Sequence, residues 1–438
     1  MKKSKVTEWL GKTTDFNFTI YSIIAAFSTY ACMYAFRKPF AVATFTGIKY
    51  WGMDYKTILI ISQVLGYMLS KFIGIKIVSE MKPSKRAVSI LILIGIAEIA
   101  LFLFSIVPAP ANVIFLFING LPLGMVWGLV FSFLEGRKLT EILGAGLSIS
   151  FIVSSGFVKS IGKIVIDNWG FTEYQMPYIT GALFAIPLIF FVWMLNQIPP
   201  PTQSDEDLRT KRVPMNAQDR KSFFLRFATG LIVLTVIYMF LTAFRDMRDN
   251  FAAEIWNTLG YSDQPMIFTY TEIPIAIIVL AVMGSIMVIK DNMKALMVNL
   301  YIVLGGILLV GVATFIFHIK MISAPLWMIL TGLGLYMGYV PFNCILFDRF
   351  IATYKTAANA GFLIYIADSF GYLASVSTLL FKNFGEAKIS WYNFFVDLSY
   401  VLAIVGGALT LISIAYFRKK RMALNKAKEI ENIVPENA

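Results

Sequence analysis

Twelve apolar runs, each near the length of a membrane crossing, limit what this chain can fold into. They fall at residues 15–36, 56–78, 87–107, 113–134, 142–166, 177–195, 223–244, 266–289, 295–317, 326–346, 356–380 and 392–417. An α-helix needs about 20 predominantly apolar residues to cross a hydrocarbon core. Within lipid every backbone N–H and C=O must be satisfied inside the protein, so isolated runs of this kind are helices. The expected fold class is an all-α polytopic membrane protein with 12 transmembrane helices. Composition agrees: 58% of the 438 residues are hydrophobic and 15% are charged, against roughly 25% charged in soluble domains.

The polar stretches divide the runs into sixes. A basic segment, 1–14, precedes the first six spans in 15–198. A linker, 199–222, carries three consecutive prolines, the acidic patch Asp205-Glu206-Asp207, and Arg209, Lys211 and Arg212. Its proline and charge density mark a linker rather than a domain. Six further spans occupy 223–417, and a tail, 418–438, opens with Arg418-Lys419-Lys420-Arg421.

Lys and Arg gather at the N-terminus, in the connectors after even-numbered spans and in the tail, while the loops after spans 3 and 5 have none. By the positive-inside tendency both termini and the linker are expected in the cytoplasm. The same bias accounts for the net charge of +12, so the expected partner is a lipid bilayer and not nucleic acid. The first run is longer than a signal-peptide core, which leads to an integral protein of the plasma (inner) membrane. Two six-helix bundles around a cytoplasmic linker place a substrate near midplane between them.

Enzymatic constellations are not visible. The sequence has one histidine, His318, and two cysteines, Cys32 and Cys344, both in apolar segments. That excludes a disulfide framework and leaves no metal-ligand spacing. H-E-x-x-H, G-x-S-x-G and P-loop patterns are missing, so neither catalysis nor a cofactor or metal is expected.

Charges inside the runs carry the functional signal, because an ionisable residue in hydrocarbon is expensive and marks a substrate path or a paired charge. Tyr30, Tyr34 and Arg37 fall at i, i+4 and i+7, and Tyr67 and Lys71 at i and i+4, so each set shares a helix face. Arg37 and Lys71 read as half of an anion site; the plainer reading of Arg37 is an arginine snorkelling at a span end. Asp368 lies on one face with Tyr365 and Tyr372. It is either a proton-coupling carboxylate or the neutralising partner of Lys71 or an arginine. Glu98 in span 3 and Glu272 in span 8 pose the same question, with Lys159 in span 5 as a partner for one of them.

The layout, with Tyr30-x-x-x-Tyr34-x-x-Arg37-Lys38-x-Phe40 in span 1 and Tyr67-x-x-Ser70-Lys71-Phe72-Ile73-Gly74 in span 2, resembles the major facilitator superfamily. Within it, the chain resembles the organophosphate:phosphate antiporters, which include the glycerol-3-phosphate and hexose-phosphate transporters. Weaker echoes are Gly120-x-x-x-Gly124-x-x-Trp127, Ile273-Pro274 and the stretch from Ala358 to Leu373. The resemblance implies a substrate cavity holding Arg37 and Lys71, lined by Tyr30, Tyr34 and Tyr67. It also implies an arginine from span 7. Arg245 is preferred to Arg248 because Tyr238, Thr242 and Arg245 share a face, although Asp249 at i+4 offers Arg245 an ion pair. Two guanidinium forks and an ammonium suit a phosphoryl dianion. The implied activity is secondary transport of a small anionic substrate, a phosphorylated metabolite, by a monomer, with inorganic phosphate or a proton as coupling species. Where that family has a histidine in span 5, this chain has Lys159 and Lys163 lower down, and Asp368 is an added carboxylate. The alternative is a non-transporting receptor or sensor on the same fold, and a polytopic enzyme ranks third.

Overall fold

A computed structural model describes residues 4–135, 137, 139–202, 205, 217–354, 360–385 and 388–433. Most of the linker (Glu206, Asp207, Arg209, Lys211 and Arg212), Ala358 and the last five residues of the tail lie outside the described residues. Among those described, 12 helices are long and apolar enough to cross a membrane.

A short helix, α1 (Lys5–Leu10), lies before the first span, α2 (Asp15–Ala35). The Thr14 hydroxyl caps α2 by accepting from the Asn17 N–H, which satisfies one of the free donors of the first turn. Beyond α2 come a 3-10 turn, Pro39–Val42, and a two-stranded hairpin, β1 (Lys49–Tyr50) and β2 (Met53–Asp54), with Lys49 opposite Asp54. Then follow α3 (Tyr55–Glu80), α4 (Pro83–Ile106), α5 (Val113–Phe131), α6 (Thr140–Asp167) and α7 (Met176–Asn196). The later part holds α8 (Ala217–Asn250), α9 (Ala252–Thr258), α10 (Ile267–Met287), α11 (Asn292–His318), α12 (Ala324–Cys344), α13 (Leu346–Tyr354) and α14 (Ala360–Phe384). The last span is α15 (Trp391–Val401), a π-helical turn at Leu402–Gly406, and α16 (Gly407–Ile433).

Several expectations shift. Span 7 was expected over 223–244, yet α8 runs on to Asn250, so Arg245 and Arg248 sit inside a helix. Span 1 was expected to carry Arg37, yet α2 ends at Ala35. The Arg37 and Lys38 N–H groups both bond the Tyr34 carbonyl, and Pro39 disfavours helix at the residue before it. The loop after span 1 holds a hairpin, and α9 and α13 have no counterpart among the expected runs.

Packing follows two patterns. Before the linker, α3 packs on α5, α4 on α5 and α7, and α2 on α6 and α7; after it, α8 packs on α14, α11 on α12 and α16, and α10 on α12. The two parts meet chiefly through α6 against α10 and α3 against α14. Small residues make the tightest approaches possible, as in other helix packings within lipid. A Cβ on Gly120 would collide with the Gln63 carbonyl, one on Gly66 with the Phe117 carbonyl, and one on Gly156 with the Phe268 carbonyl. Gly120→Val therefore forces α3 and α5 apart, and overpacking of this kind costs about 1–3 kcal/mol. The purified protein is expected to melt several degrees lower. Gly284→Ala, whose added Cβ meets nothing within 4 Å, is expected to melt as the wild type does.

Candidate functional site

The polar groups that face one another between the two parts form a layer rather than a scatter. Arg37 sits just past the end of α2, and its guanidinium lies 3.8 Å from the centre of the Tyr67 ring. Arg37 is 7% exposed. Among the described residues its side chain makes neither an ion pair nor a hydrogen bond. Cation–π contact of this kind is worth about 2 kcal/mol or more when desolvated, which holds the group without neutralising it. One turn further along α3, Lys71 lies 3.4 Å from the Asp368 carboxylate on α14. The Lys71 ammonium is also 5.4 Å from the Tyr67 ring and 5.7 Å from Tyr365.

Tyr67 packs edge-on against Tyr372, with ring centres 5.5 Å apart. Arg245 reaches the same pair from α8, 5.9 Å from the Tyr372 ring and 4.6 Å from Tyr339. The tyrosine pair thus brings Arg37, Lys71 and Arg245 around one centre. Tyr30 and Tyr34 are buried beside it, ring centres 5.5 Å apart, and Tyr30 also packs on Phe151. Asp368 accepts a 2.5 Å hydrogen bond from the Tyr238 hydroxyl, so both of its oxygens are engaged, one by the amine and one by the phenol.

The carboxylate partners differ from those that helical spacing suggests. Arg245 does not take Asp249; it pairs with Asp246 at 2.7 Å and donates to the Tyr339 hydroxyl. Asp249 instead holds Lys38 and Lys159, both from the first part, and accepts from the Ser155 hydroxyl. Lys38 also donates to Asn250 at 3.1 Å. Lys159 was expected to take Glu98 or Glu272. Neither does so, because α6 packs against α10 with its Ser155 and Lys159 face towards the end of α8. Glu272 takes Arg248 at 2.6 Å, and Arg248 also donates to the Met328 carbonyl; Arg248 is a structural cation. Glu98 lies apart, between α4 and α7 against Gly181, with one buried oxygen lacking a hydrogen-bond partner.

Further out, Lys56 on α3 pairs with Glu254 on α9 at 2.6 Å. Asn383 on α14 donates to Thr57 and accepts from the Asp54 N–H. Lys38 past the end of α2, Lys56 in the first turn of α3, Lys159 in the later part of α6, Asp249 near the end of α8 and Glu254 on α9 all lie towards the side opposite the two termini. That end is clasped shut. Burial pushes the Lys38 ammonium down to about 8, against the pull of Asp249.

Sequence reasoning missed Lys38, Asp246, Gln63 and Asn119 as parts of this layer. Lys38 adjoins Arg37, and Gln63 continues the four-residue spacing of Tyr67 and Lys71; the other two carry no comparable signal. Among the described residues no group of three or more His, Cys, Asp or Glu could hold a metal ion.

A twelve-helix molecule with charge gathered between two packed parts has the major facilitator fold, and solved structures share it. A D-xylose-proton symporter matches with a TM-score of 0.58 at 14% identity, over 90% of this chain and 97% of that one. The nucleoside transporter NupG gives 0.60 at 15%, over 89% and 99%. A structure of proton dependent oligopeptide transporters gives 0.62 at 10%, over 92% and 99%. The chain belongs to DUF5690, a family of unknown function whose model matches residues 39–420. No curated protein matches the sequence.

The pairing pattern sets a stability test. Removing one partner of a buried ion pair leaves an uncompensated charge and costs about 3–5 kcal/mol. Arg248→Met is expected to lower the melting temperature of the purified protein markedly, and Arg248→Met with Glu272→Leu to recover most of it. Arg37→Met strands no carboxylate, so its melting temperature is expected to match or exceed that of the wild type.

Proposed function

We propose that this protein is a secondary active transporter of a small organic anion, held between two rocking six-helix bundles, 15–198 and 223–417. The observation that carries the reading is a surplus of buried positive charge. Lys56, Lys71, Arg245 and Arg248 each hold one carboxylate; Lys38 and Lys159 share one; Arg37 holds none. Among the described residues, two positive charges of this layer, which is removed from water, remain uncompensated. A buried charge needs a partner, and an anionic substrate supplies it.

Two surplus charges favour a substrate with two negative charges, which supports a phosphoryl monoester with inorganic phosphate as the exchanging ion. Arg37 offers a planar guanidinium fork with its donors free, the geometry that suits a phosphoryl group. Arg245 and Lys71 adjoin it and can turn from their carboxylates towards the anion. Tyr30, Tyr34 and Tyr67 line the space. An empty site carrying this surplus is costly to occlude, so the loaded carrier crosses more readily than the empty one; that favours exchange over net flux. The termini and linker are assigned to the cytoplasm of a plasma or inner membrane. With the opposite end clasped, the state described here then faces inward. Asp368, engaged by Lys71 and Tyr238, acts as a counter-charge in this state rather than as a free proton acceptor.

In liposomes loaded with inorganic phosphate, the wild type is expected to exchange labelled phosphate. Arg37→Lys is expected to lower the rate at least tenfold, about 1.4 kcal/mol, because an ammonium cannot replace the fork. Phosphate or monoester binding without any flux would instead mark a receptor, and no binding of either would remove the anion reading.

Lys38 adds a pH dependence with a definite sign. Above pH 8 it loses its proton and one of the two surplus charges goes, while a phosphoryl monoester is already close to fully dianionic there (second pKa about 6). Binding is expected to weaken from pH 7.5 to 9 and to stay flat in Lys38→Arg. Stability moves the other way. The folded-state value of Lys38 lies below its unfolded value of about 10.4, so the unfolded chain holds more protons and stability rises with pH across that window.

A further inference from the structure

Arg37 lies beyond the last residue of α2, so the helix does not fix it. The Phe36 carbonyl, at the C-cap, is among those that a helix end leaves without partners, and the Arg37 carbonyl lies one residue beyond it. Two amide side chains from neighbouring spans take them. Asn119 Nδ2 on α5 donates to the Phe36 carbonyl at 2.9 Å, and Gln63 Nε2 on α3 donates to the Arg37 carbonyl at 3.1 Å. The amides are joined to each other, Gln63 Nε2 to Asn119 Oδ1 at 2.8 Å, and Asn119 Nδ2 also reaches the Ala97 carbonyl at 3.0 Å. Asn119 is fully buried and Gln63 is 3% exposed.

We infer that Gln63 and Asn119 are positioning residues for Arg37, clamping the turn beyond α2 so that the guanidinium stays over Tyr67 and open to an anion. The inference rests on the proposed role of Arg37 as the cation that meets the substrate.

Three observations support it. Buried amides are costly in an apolar bundle unless every group is satisfied, and here both amide hydrogens of Asn119 and its oxygen are used, three of the four bonds the side chain can make. Leucine or methionine would fill the same space without that demand, so the carbonyls are what the amides serve. Secondly, Gln63, Tyr67 and Lys71 follow one another at four-residue intervals on α3. One stripe of one helix therefore supplies the clamp on the Arg37 backbone, the ring under its guanidinium and the second cation. Thirdly, the close approach of α3 to α5 through Gly66 and Gly120 is what lets Gln63 and Asn119 meet. With no hydrogen bond to its own side chain among the described residues, Arg37 depends on its backbone and on Tyr67 for its place.

A double-mutant cycle on the purified full chain separates positioning from general support, because residues that act through one group are not additive. The probes are inorganic phosphate and glycerol-3-phosphate, with dissociation constants from calorimetry and melting temperature as a separate reading. Asn119→Leu is expected to raise the dissociation constant about tenfold when Arg37 is intact, and less than twofold in an Arg37→Lys background. Gln63→Met, which leaves the Asn119 bonds to Phe36 and Ala97 in place, is expected to do the same to a smaller extent and serves if Asn119→Leu does not fold. Equal losses in both backgrounds, or a lowered melting temperature with unchanged binding, would overturn the positioning role while leaving the anion reading intact. A wild type that binds neither probe would overturn the anion reading, and this inference with it.

Discussion

Charge inside hydrocarbon has to be answered by charge, and that constraint organises the space between the two parts of this molecule. Its answers are of two kinds. Arg245 with Asp246 and Arg248 with Glu272 are closed within the second part. Lys56 with Glu254, Lys38 and Lys159 with Asp249, and Lys71 with Asp368 cross from one part to the other. Only the crossing pairs must part if the clasped end opens. When they do, water enters and takes over the solvation that each partner gave the other, so the separation costs far less than removing one partner by mutation. Pairs within one part, such as Arg248 with Glu272, need not open with it. The division lets the same chemistry serve as a clasp in one place and as scaffold in another.

The clasp would be loose if the helices around it could shift, and backbone contacts prevent that. Gly66 and Gly120 bring α3 and α5 to the distance at which carbonyls touch Cα atoms, and Gly156 does the same for α6 and α10. Both contacts border the charged layer. The first sets the height of Tyr67 and Lys71 against Asn119. The second sets the height of Ser155 and Lys159 against the end of α8, where Asp249 waits. Small residues therefore act on the site indirectly, through the register of the helices that carry it.

Much of the fold was legible because the membrane imposes one rule on each span: about 20 apolar residues with all backbone groups satisfied internally. Shorter elements escape such a rule. The helix Ala252–Thr258 and the hairpin Lys49–Asp54 are set by what they pack against. Arg37 shows where local periodicity fails, since spacing placed it on a helix face and Pro39 ended the helix before it. The partners fail for a related reason. Spacing of four residues offered Asp249 to Arg245, but that rule concerns neighbours on one helix, and two lysines from another part of the chain make a stronger claim on the same carboxylate. Arg37, Lys71 and Arg245 were legible as cations that converge; their counter-charges were legible only as a set.

Asp249 shows how one carboxylate can tie two elements of the first part to the second, since both Lys38 and Lys159 hold it. Lys159 and Lys38 reach Asp249 from different places, one along α6 and one past the end of α2. Of the two, Lys38 is the one that burial brings down to about 8. Lys159 meets Asp249 twice, at its carboxylate and at its backbone carbonyl. The Ser155 hydroxyl adds a third contact to the same carboxylate from α6. If the Lys38 contact is lost, the first part is therefore still joined to the end of α8 through α6.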